Sequence, residues 1–146
     1  MPNIQFIDEE LISGKRILIR NDFNVSLNDA HKIANDERIR QAIPTISYLL
    51  KNQNKLILTS HLGEPKGYDA SLSLEIVRED LVKFLPDYTI TIFPTIQALK
   101  LALPRQTVQD AFLLENLRFL PGEQKNDPEL AKLLASLADI YVNDAL

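Results

Sequence analysis

The stretch KLILTSH, residues 55–61, is a continuous apolar run that ends in polar residues. A strand with one solvated face alternates apolar and polar residues, whereas Leu56, Ile57 and Leu58 place apolar side chains on both faces. The run therefore predicts a strand that is covered on both sides, as in a parallel sheet with helices above and below it.

Four other segments share this character and predict further strands: RILIRNDF (16–23), YTITIFP (88–94), AFLLENLRF (111–119) and DIYVNDAL (139–146). The segments between the strands have helical periodicity: residues 35–53, 71–85, 95–103 and 127–138. Repeated strand, helix, strand units joined by right-handed crossovers predict the α/β class, with an open, mostly parallel sheet and helices on both faces.

The helical segments also carry local signals. In the second segment, Leu74, Val77, Leu81 and Leu85 fall on one stripe. Pro44 lies inside the first segment and predicts either a kink or a main helix that begins after a preliminary turn. The residues that favour helix starts are Asn35 or Asp36, Ser71 or Ser73, and Asp127 followed by Pro128.

The composition excludes several classes of protein. The chain has 146 residues, of which 45% are hydrophobic and 25% charged, as in one ordinary globular domain. A formal net charge of -4 argues against sequence-independent nucleic-acid binding, and the absence of cysteine excludes disulfides and thiolate zinc sites. The acidic start MPNIQFIDEE is unlike a signal peptide, and no apolar run approaches the roughly 20 residues of a membrane span. We therefore expect a cytoplasmic protein that contacts no membrane.

Polar residues follow most of the predicted strands. Ligands of open parallel sheets bind outside the carboxyl ends of the strands, and we call this edge the ligand rim. The groups that the rim is expected to carry are Asp22, Phe23 and Asn24; Ser60, His61 and Gly63; Glu115, Asn116 and Arg118; and Asn143 and Asp144. With Arg38 they form a small basic, hydrogen-bonding set that suits a compact anion.

Some of these residues also have purely structural interpretations. Asp22 and Asn24 could be turn formers that bond their own backbone. Arg118 could form an exposed ion pair with Glu115 or Glu123. Both interpretations stay open at the level of sequence.

His61 and Arg38 present the same choice. His61 could be a structural residue at a strand end. Arg38 falls in the first turn of its helix, where the macrodipole disfavours a cation, which suggests a functional role. Asp36 and Glu37 could instead neutralise it.

Familiar catalytic and nucleotide motifs are absent from the chain. The four glycines stand at positions 14, 63, 67 and 122, so neither G-x-x-x-x-G-K-[ST] nor G-x-G-x-x-G occurs. Neither G-x-S-x-G nor H-E-x-x-H is present. We therefore expect no nucleotide phosphate loop and no metal site here.

The series GKRILIRNDFNVSL, DERIRQAIPTISYLL, KLILTSHLGEPKG and LLENLRFLPGEQKNDPELAKLLASLADIYVNDA resembles the N-terminal domain of phosphoglycerate kinase, in order and spacing, over nearly all of the chain. The resemblance implies a Rossmann-like sheet of that domain type. It also implies a two-domain glycolytic kinase, in which this domain holds 3-phosphoglycerate and a C-terminal domain holds Mg-ATP or Mg-ADP. The full-length enzyme is then expected to be monomeric.

The resemblance also implies roles for individual residues. Arg38 would be catalytic, contacting the transferring group and the substrate carboxylate, while His61 and Arg118 would help to hold the substrate. Asp22 and Asn24 would orient the 2-hydroxyl. The remaining implied substrate contacts are Phe23, Leu62 and Gly63.

The chain departs from the family at several positions. The family has Val and Pro where this chain has Asn21 and Ser26, and its SHLGRP motif has Arg where this chain has Glu64. Glu64 keeps its place among the implied substrate contacts, but a favourable charge becomes an unfavourable one. We expect Glu64→Arg to tighten binding of 3-phosphoglycerate, and an unchanged affinity would mean that this side chain points away.

The family continues beyond the last motif, so we expect residues 1–146 to be an incomplete 3-phosphoglycerate-binding domain without the nucleotide-binding domain. Such a fragment would bind no nucleotide cofactor and be catalytically inactive alone. Because its last strand has no following helix, an exposed apolar patch near Tyr141 and Val142 and self-association are expected. The alternatives are a natural truncated anion-binding or interaction module and, less favoured, an unrelated flavodoxin-like domain.

Overall fold

The computed structural model describes residues 12–63, 65, 67–119 and 128–144. Its strands are β1 (Arg16–Arg20), β2 (Ser26–Leu27), β3 (Ile33–Asn35), β4 (Lys55–Thr59), β5 (Thr89–Phe93), β6 (Asp110–Leu114) and β7 (Ile140–Asn143). Its α-helices are α1 (Glu37–Lys51), α2 (Glu75–Phe84), α3 (Ile96–Ala102) and α4 (Pro128–Ala135).

The main sheet has five strands in the order β5-β6-β4-β1-β7, and every pairing in it is parallel. This confirms the predicted open parallel sheet and all of the predicted strands. β4 lies at the centre, where Leu56, Ile57 and Leu58 are fully buried, as its continuous apolar run requires. A short antiparallel pair, β2 with β3, was not predicted, because segments of two and three residues show no periodicity.

Each face of the sheet is covered by two helices. Ile17 and Ile19 of β1 pack in a cluster with residues of α1 and α2, whereas Leu18 packs in a second cluster with residues of α3 and α4. This alternation along one strand confirms that helices lie on both faces. The stripe predicted on α2 is also confirmed, because its four leucine and valine residues are at most 3% exposed.

Helix α1 starts where the sequence indicates, but the residue at its cap position makes no side-chain capping bond. It begins at Glu37 and continues through Pro44, so of the two predicted alternatives the preliminary turn is wrong, while the kink stays a prediction. Asp36 occupies the cap position without a side-chain capping bond, and the Asn35 Oδ1 instead accepts from the Glu37 N–H at 2.8 Å. At the other end of the chain, α4 begins at Pro128, as predicted.

The last strand is better covered than the sequence suggested. Val142 is only 5% exposed, and Tyr141 is half-buried against the cluster that contains α3 and α4. The predicted exposed patch at these two residues is therefore wrong, while self-association stays a prediction. No helix in the described part of the chain has the length and apolarity that a bilayer crossing requires.

Candidate functional site

The segments that follow β1, β4 and β6 stay together beyond the ends of the strands. The Asn21 N–H donates to the Thr59 carbonyl at 2.8 Å, and the Leu117 N–H donates to the Ser60 carbonyl at 2.9 Å. The Phe23 N–H donates to the Ser60 Oγ at 2.9 Å. The ligand rim is therefore a connected surface, formed by the segments that contain Asp22, His61 and Arg118.

Arg38 reaches the rim from the first turn of α1. Its Nη1 lies 2.9 Å from both carboxylate oxygens of Asp22, which follows β1. The two side chains are 53% and 35% exposed, so solvent screens the pair and its contribution to stability is small. Its structural effect is to hold the guanidinium at the rim.

The acids next to Arg38 in sequence have other partners. Asp36 pairs with Arg40 at 3.0 Å, and the Glu37 carboxylate accepts from the Gln41 side chain at 3.3 Å. Asp22, in the segment after β1, therefore offsets the unfavourable interaction of Arg38 with the helix dipole. The ion-pair partner of Arg38 is therefore Asp22 and not its sequence neighbours Asp36 and Glu37.

Asn24 connects two of the predicted segments. Its Oδ1 accepts from the Gly63 N–H at 3.0 Å, and its own N–H donates to the Asp22 Oδ1 at 3.2 Å. The turn-forming and site interpretations of Asp22 and Asn24 are therefore compatible, since the local bond and the cross-segment bonds coexist.

Gly63 is required by the backbone at this point. Its φ is +64°, and a Cβ built on it would lie 2.8 Å from a methyl carbon of Leu72. A larger residue would be strained and would also displace that side chain. The tight turn that follows His61 therefore depends on glycine.

Two predicted contacts have their side chains in the core rather than at the rim. Phe23 and Leu62 are 0% and 1% exposed. The Phe23 N–H and both backbone polar groups of Leu62 are already hydrogen-bonded. These residues can support the rim, but their side chains cannot reach a ligand without moving.

His61 and Arg118 occupy the other two segments. His61 follows Ser60 directly after β4 and is half-buried. Arg118 is half-buried in a single 3₁₀ turn, Leu117–Phe119, and its N–H donates to the Asn116 Oδ1 at 3.1 Å. Glu64 lies outside the described residues, and so does Glu123.

Glu115 has a structural role at this edge. Its carboxylate accepts from the Ser73 Oγ at 2.5 Å, the Leu74 N–H at 2.6 Å and the Asn116 N–H at 2.8 Å. Leu74 is the cap residue of α2 and has no side-chain cap of its own. Glu115 therefore caps α2 from the end of β6.

Asn116 is fully buried and makes four side-chain hydrogen bonds. Its Oδ1 accepts from the N–H groups of Leu62 and Arg118, each at 3.1 Å. Its Nδ2 donates to the carbonyls of Leu62 at 2.7 Å and Leu72 at 2.9 Å. The sequence predicts Asn116 at the rim but not its role, because Leu62 and Leu72 are remote in sequence.

Two further features lie at the ends of β1 and β7. Asn21 is fully buried, and neither its Oδ1 nor its Nδ2 has a partner among the described residues. At the end of β7, partial desolvation raises the pKa of the Asp144 carboxyl above its usual range. A negative charge at this corner of the rim is therefore less favourable in the folded chain than in water.

An open pocket of about 280 Å³ lies beside Arg38, lined by Asn24, Val25, Ser26, Asn35, Glu37, Arg38 and Gln41. Within the described ranges, no group of three or more His, Asp or Glu side chains is placed to hold a metal ion. The polar donors and cations of the rim suit a small oxyanion.

Comparison with known proteins gives a consistent result. The family model of phosphoglycerate kinase matches residues 7–146. The chain is 47% identical to phosphoglycerate kinase from Helicobacter pylori over 146 residues, covering 99% of this chain and 36% of that protein. It is also 47% identical to the cytosolic phosphoglycerate kinase of Triticum aestivum, covering 95% of this chain and 35% of that protein.

The fold is similar to solved phosphoglycerate kinases. The match to the structure of phosphoglycerate kinase from Coxiella burnetii covers 95% of this chain and 34% of that protein's chain. The TM-score is 0.81 and the sequence identity is 34%. The chain thus spans about a third of the length of the curated relatives it matches.

Proposed function

The chain belongs to the phosphoglycerate kinase family, and we propose that it supplies the 3-phosphoglycerate-binding part of such an enzyme. The enzyme would transfer a phosphoryl group reversibly between 1,3-bisphosphoglycerate with ADP and 3-phosphoglycerate with ATP. One observation carries the proposal: three strand-end segments bearing Asp22, His61 and Arg118 are hydrogen-bonded together at one edge, where Arg38 meets Asp22.

The chemistry of this reaction matches what the rim offers. The nucleophile is the substrate carboxylate, which is ionised at pH 7, so the protein need not provide a general base. The obstacle is repulsion among the carboxylate, the 3-phosphate and the transferring phosphoryl group. Fixed cations and hydrogen-bond donors lower that repulsion.

Arg38 is the residue we assign to the reacting groups. Asp22 engages only its Nη1, and neither Nε nor Nη2 has a partner among the described residues. The guanidinium could therefore bind an oxyanion along its other edge while Asp22 keeps it in place. Asp22 and Asn24 would orient the 2-hydroxyl of the substrate. His61 and Arg118 would help to hold its phosphate and carboxylate groups.

Phe23, Leu62 and Gly63 would act through the backbone they order. The buried Phe23 and Leu62 side chains secure the segments that carry Asp22 and His61. Gly63 permits the turn that brings its N–H to Asn24. We keep Glu64 as a proposed substrate neighbour whose charge weakens binding.

The nucleotide belongs elsewhere in this proposal. The chain lacks a glycine-rich phosphate loop, and its described residues lack an acidic cluster for Mg²⁺. These residues do not fit Mg-ATP or Mg-ADP, so we assign them no step with it. We propose that the chain by itself is catalytically silent and acts in the cytoplasm, and a coupled assay with 3-phosphoglycerate and Mg-ATP should detect no turnover.

A calorimetric titration with 3-phosphoglycerate tests the binding role. Arg38→Gln should weaken binding about tenfold or more, because it removes a charge-assisted contact. The matched control is Arg40→Gln, since Arg40 is exposed on the same helix but pairs with Asp36. Equal affinity of the two variants, or no binding by the unsubstituted chain, would contradict the proposal.

A further inference from the structure

We propose that Asn116 is a positioning residue that sets the affinity for 3-phosphoglycerate by holding His61 and Arg118 in a fixed relation. The inference rests on the proposed function. Asn116 is fully buried, so it acts through the segments it binds and does not touch the ligand.

The strand ladder between β4 and β6 stops before the rim. β4 and β6 pair in register as far as Leu58 and Leu113, and β4 ends at Thr59. Beyond that point, the Asn116 side chain binds both the N–H and the carbonyl of Leu62. One amide thus reproduces the pairing that a neighbouring strand would give, at the residue between His61 and Gly63.

The same amide binds two further groups, one in its own segment and one in the segment before α2. Its Oδ1 also accepts from the Arg118 N–H, and its Nδ2 also donates to the Leu72 carbonyl. An amide oxygen has two lone pairs and an amide nitrogen has two hydrogens, so all of its hydrogen-bonding capacity is used. The Asn116 side-chain amide therefore has no unused donor or acceptor that would favour a second orientation.

A series of hydrogen bonds also connects the segment that Asn116 holds to Arg38. The Gly63 N–H, one residue after Leu62, donates to Asn24, whose N–H donates to Asp22. Asp22 in turn holds Arg38. A shift of the segment at Leu62 would therefore move groups on both sides of the rim.

Such a shift should weaken binding more than the loss of stability explains. A ligand held by several charged groups requires all of them in place at once, and a displacement of about 1 Å can cost as much as a hundredfold in an enzyme site. For Asn116→Asp, which keeps Oδ1 but puts an oxygen against the Leu62 and Leu72 carbonyls, we expect about tenfold weaker binding.

The chain contains a matched control at the opposite edge of the sheet. Asn54 is also fully buried; its Nδ2 donates to the carbonyls of Ile12 and Leu49, and its Oδ1 accepts from the Lys15 N–H. Asn54→Asp makes the same chemical change against two carbonyls. It should lower stability without disturbing the rim.

The experiment measures two quantities for each variant: the urea midpoint of unfolding and the dissociation constant for 3-phosphoglycerate by NMR titration. Both variants should unfold at lower urea, and only Asn116→Asp should bind about tenfold more weakly. Unchanged affinity in Asn116→Asp, or equal weakening in both variants, would overturn the inference.

Two provisions keep the outcome decisive. If either aspartate variant does not fold, the pair Asn116→Ser and Asn54→Ser makes the same comparison with a smaller perturbation. Failure of the unsubstituted chain to bind would overturn the proposed function and this inference with it. Binding by the unsubstituted chain with no selective loss in the Asn116 variants would overturn this inference alone.

Discussion

At the scale of single residues, the buried asparagines of this chain differ in how well they are satisfied. Asn54 and Asn116 use their amide groups fully or nearly so. Asn21 is equally buried, yet its side-chain amide has no partner among the described residues. Because burying a polar group without a hydrogen bond is costly, we expect the Asn21 side chain to destabilise the fold next to Asp22.

We predict that Asn21→Val raises the free energy of unfolding by about 1 to 3 kcal/mol, because it removes an unsatisfied amide from the core. Urea unfolding measures the change. Asn54→Val is the control and should be destabilising, since it leaves three backbone groups without their partner. A loss of stability in Asn21→Val would mean that the amide has a partner in the folded protein, such as a buried water.

For the rim residues, the sequence predicts the edge of the sheet on which they lie but not the groups to which they bond. The polar residues after β1, β4 and β6 could be placed at one edge, because parallel strands end on the same side. Their partners could not be predicted. Arg38 meets Asp22 across 16 positions rather than its neighbours Asp36 and Glu37, and Asn116 binds Leu62 across 54.

At the scale of elements, the spacing of apolar residues predicted the strands and helices that bury those residues. Strands covered on both faces appear in the sequence as continuous apolar runs. The four residues of the predicted α2 stripe are each at most 3% exposed. The β2 and β3 pair is too short to show a period. At the start of α2, the predicted Ser73 accepts from the Glu75 N–H at 3.1 Å, whereas the contribution of Glu115 was not predicted, because it comes from another element.

We predict that Glu115→Gln lowers the free energy of unfolding by about 1 kcal/mol. A carboxylate at the N-terminus of a helix interacts favourably with the helix dipole and accepts charge-assisted hydrogen bonds. The measurement is again urea unfolding, now compared with Glu79→Gln, whose side chain is exposed on α2 itself. Equal stability of the two variants would show that the charge of Glu115 contributes nothing to the cap.

At the scale of the whole molecule, the sheet separates two edges with different roles. The carboxyl edge carries the rim, where side chains bond to side-chain or backbone groups of other segments. The amino edge carries Asn54 and the Lys15 and Lys55 backbone bonds that close the ends of β1 and β4. Within the described part of the chain, the polar residues with proposed ligand roles belong to the first edge.

The most direct test of the central claim is to map where 3-phosphoglycerate binds by titrating the isotopically labelled chain and following its backbone amide resonances. The account predicts saturable shifts at Asn24, Gly63 and Arg118 on the rim. The amides of Lys15 and Lys55, at the opposite edge, should remain unperturbed. Absence of saturable shifts on the rim, or shifts centred on the opposite edge, would contradict it.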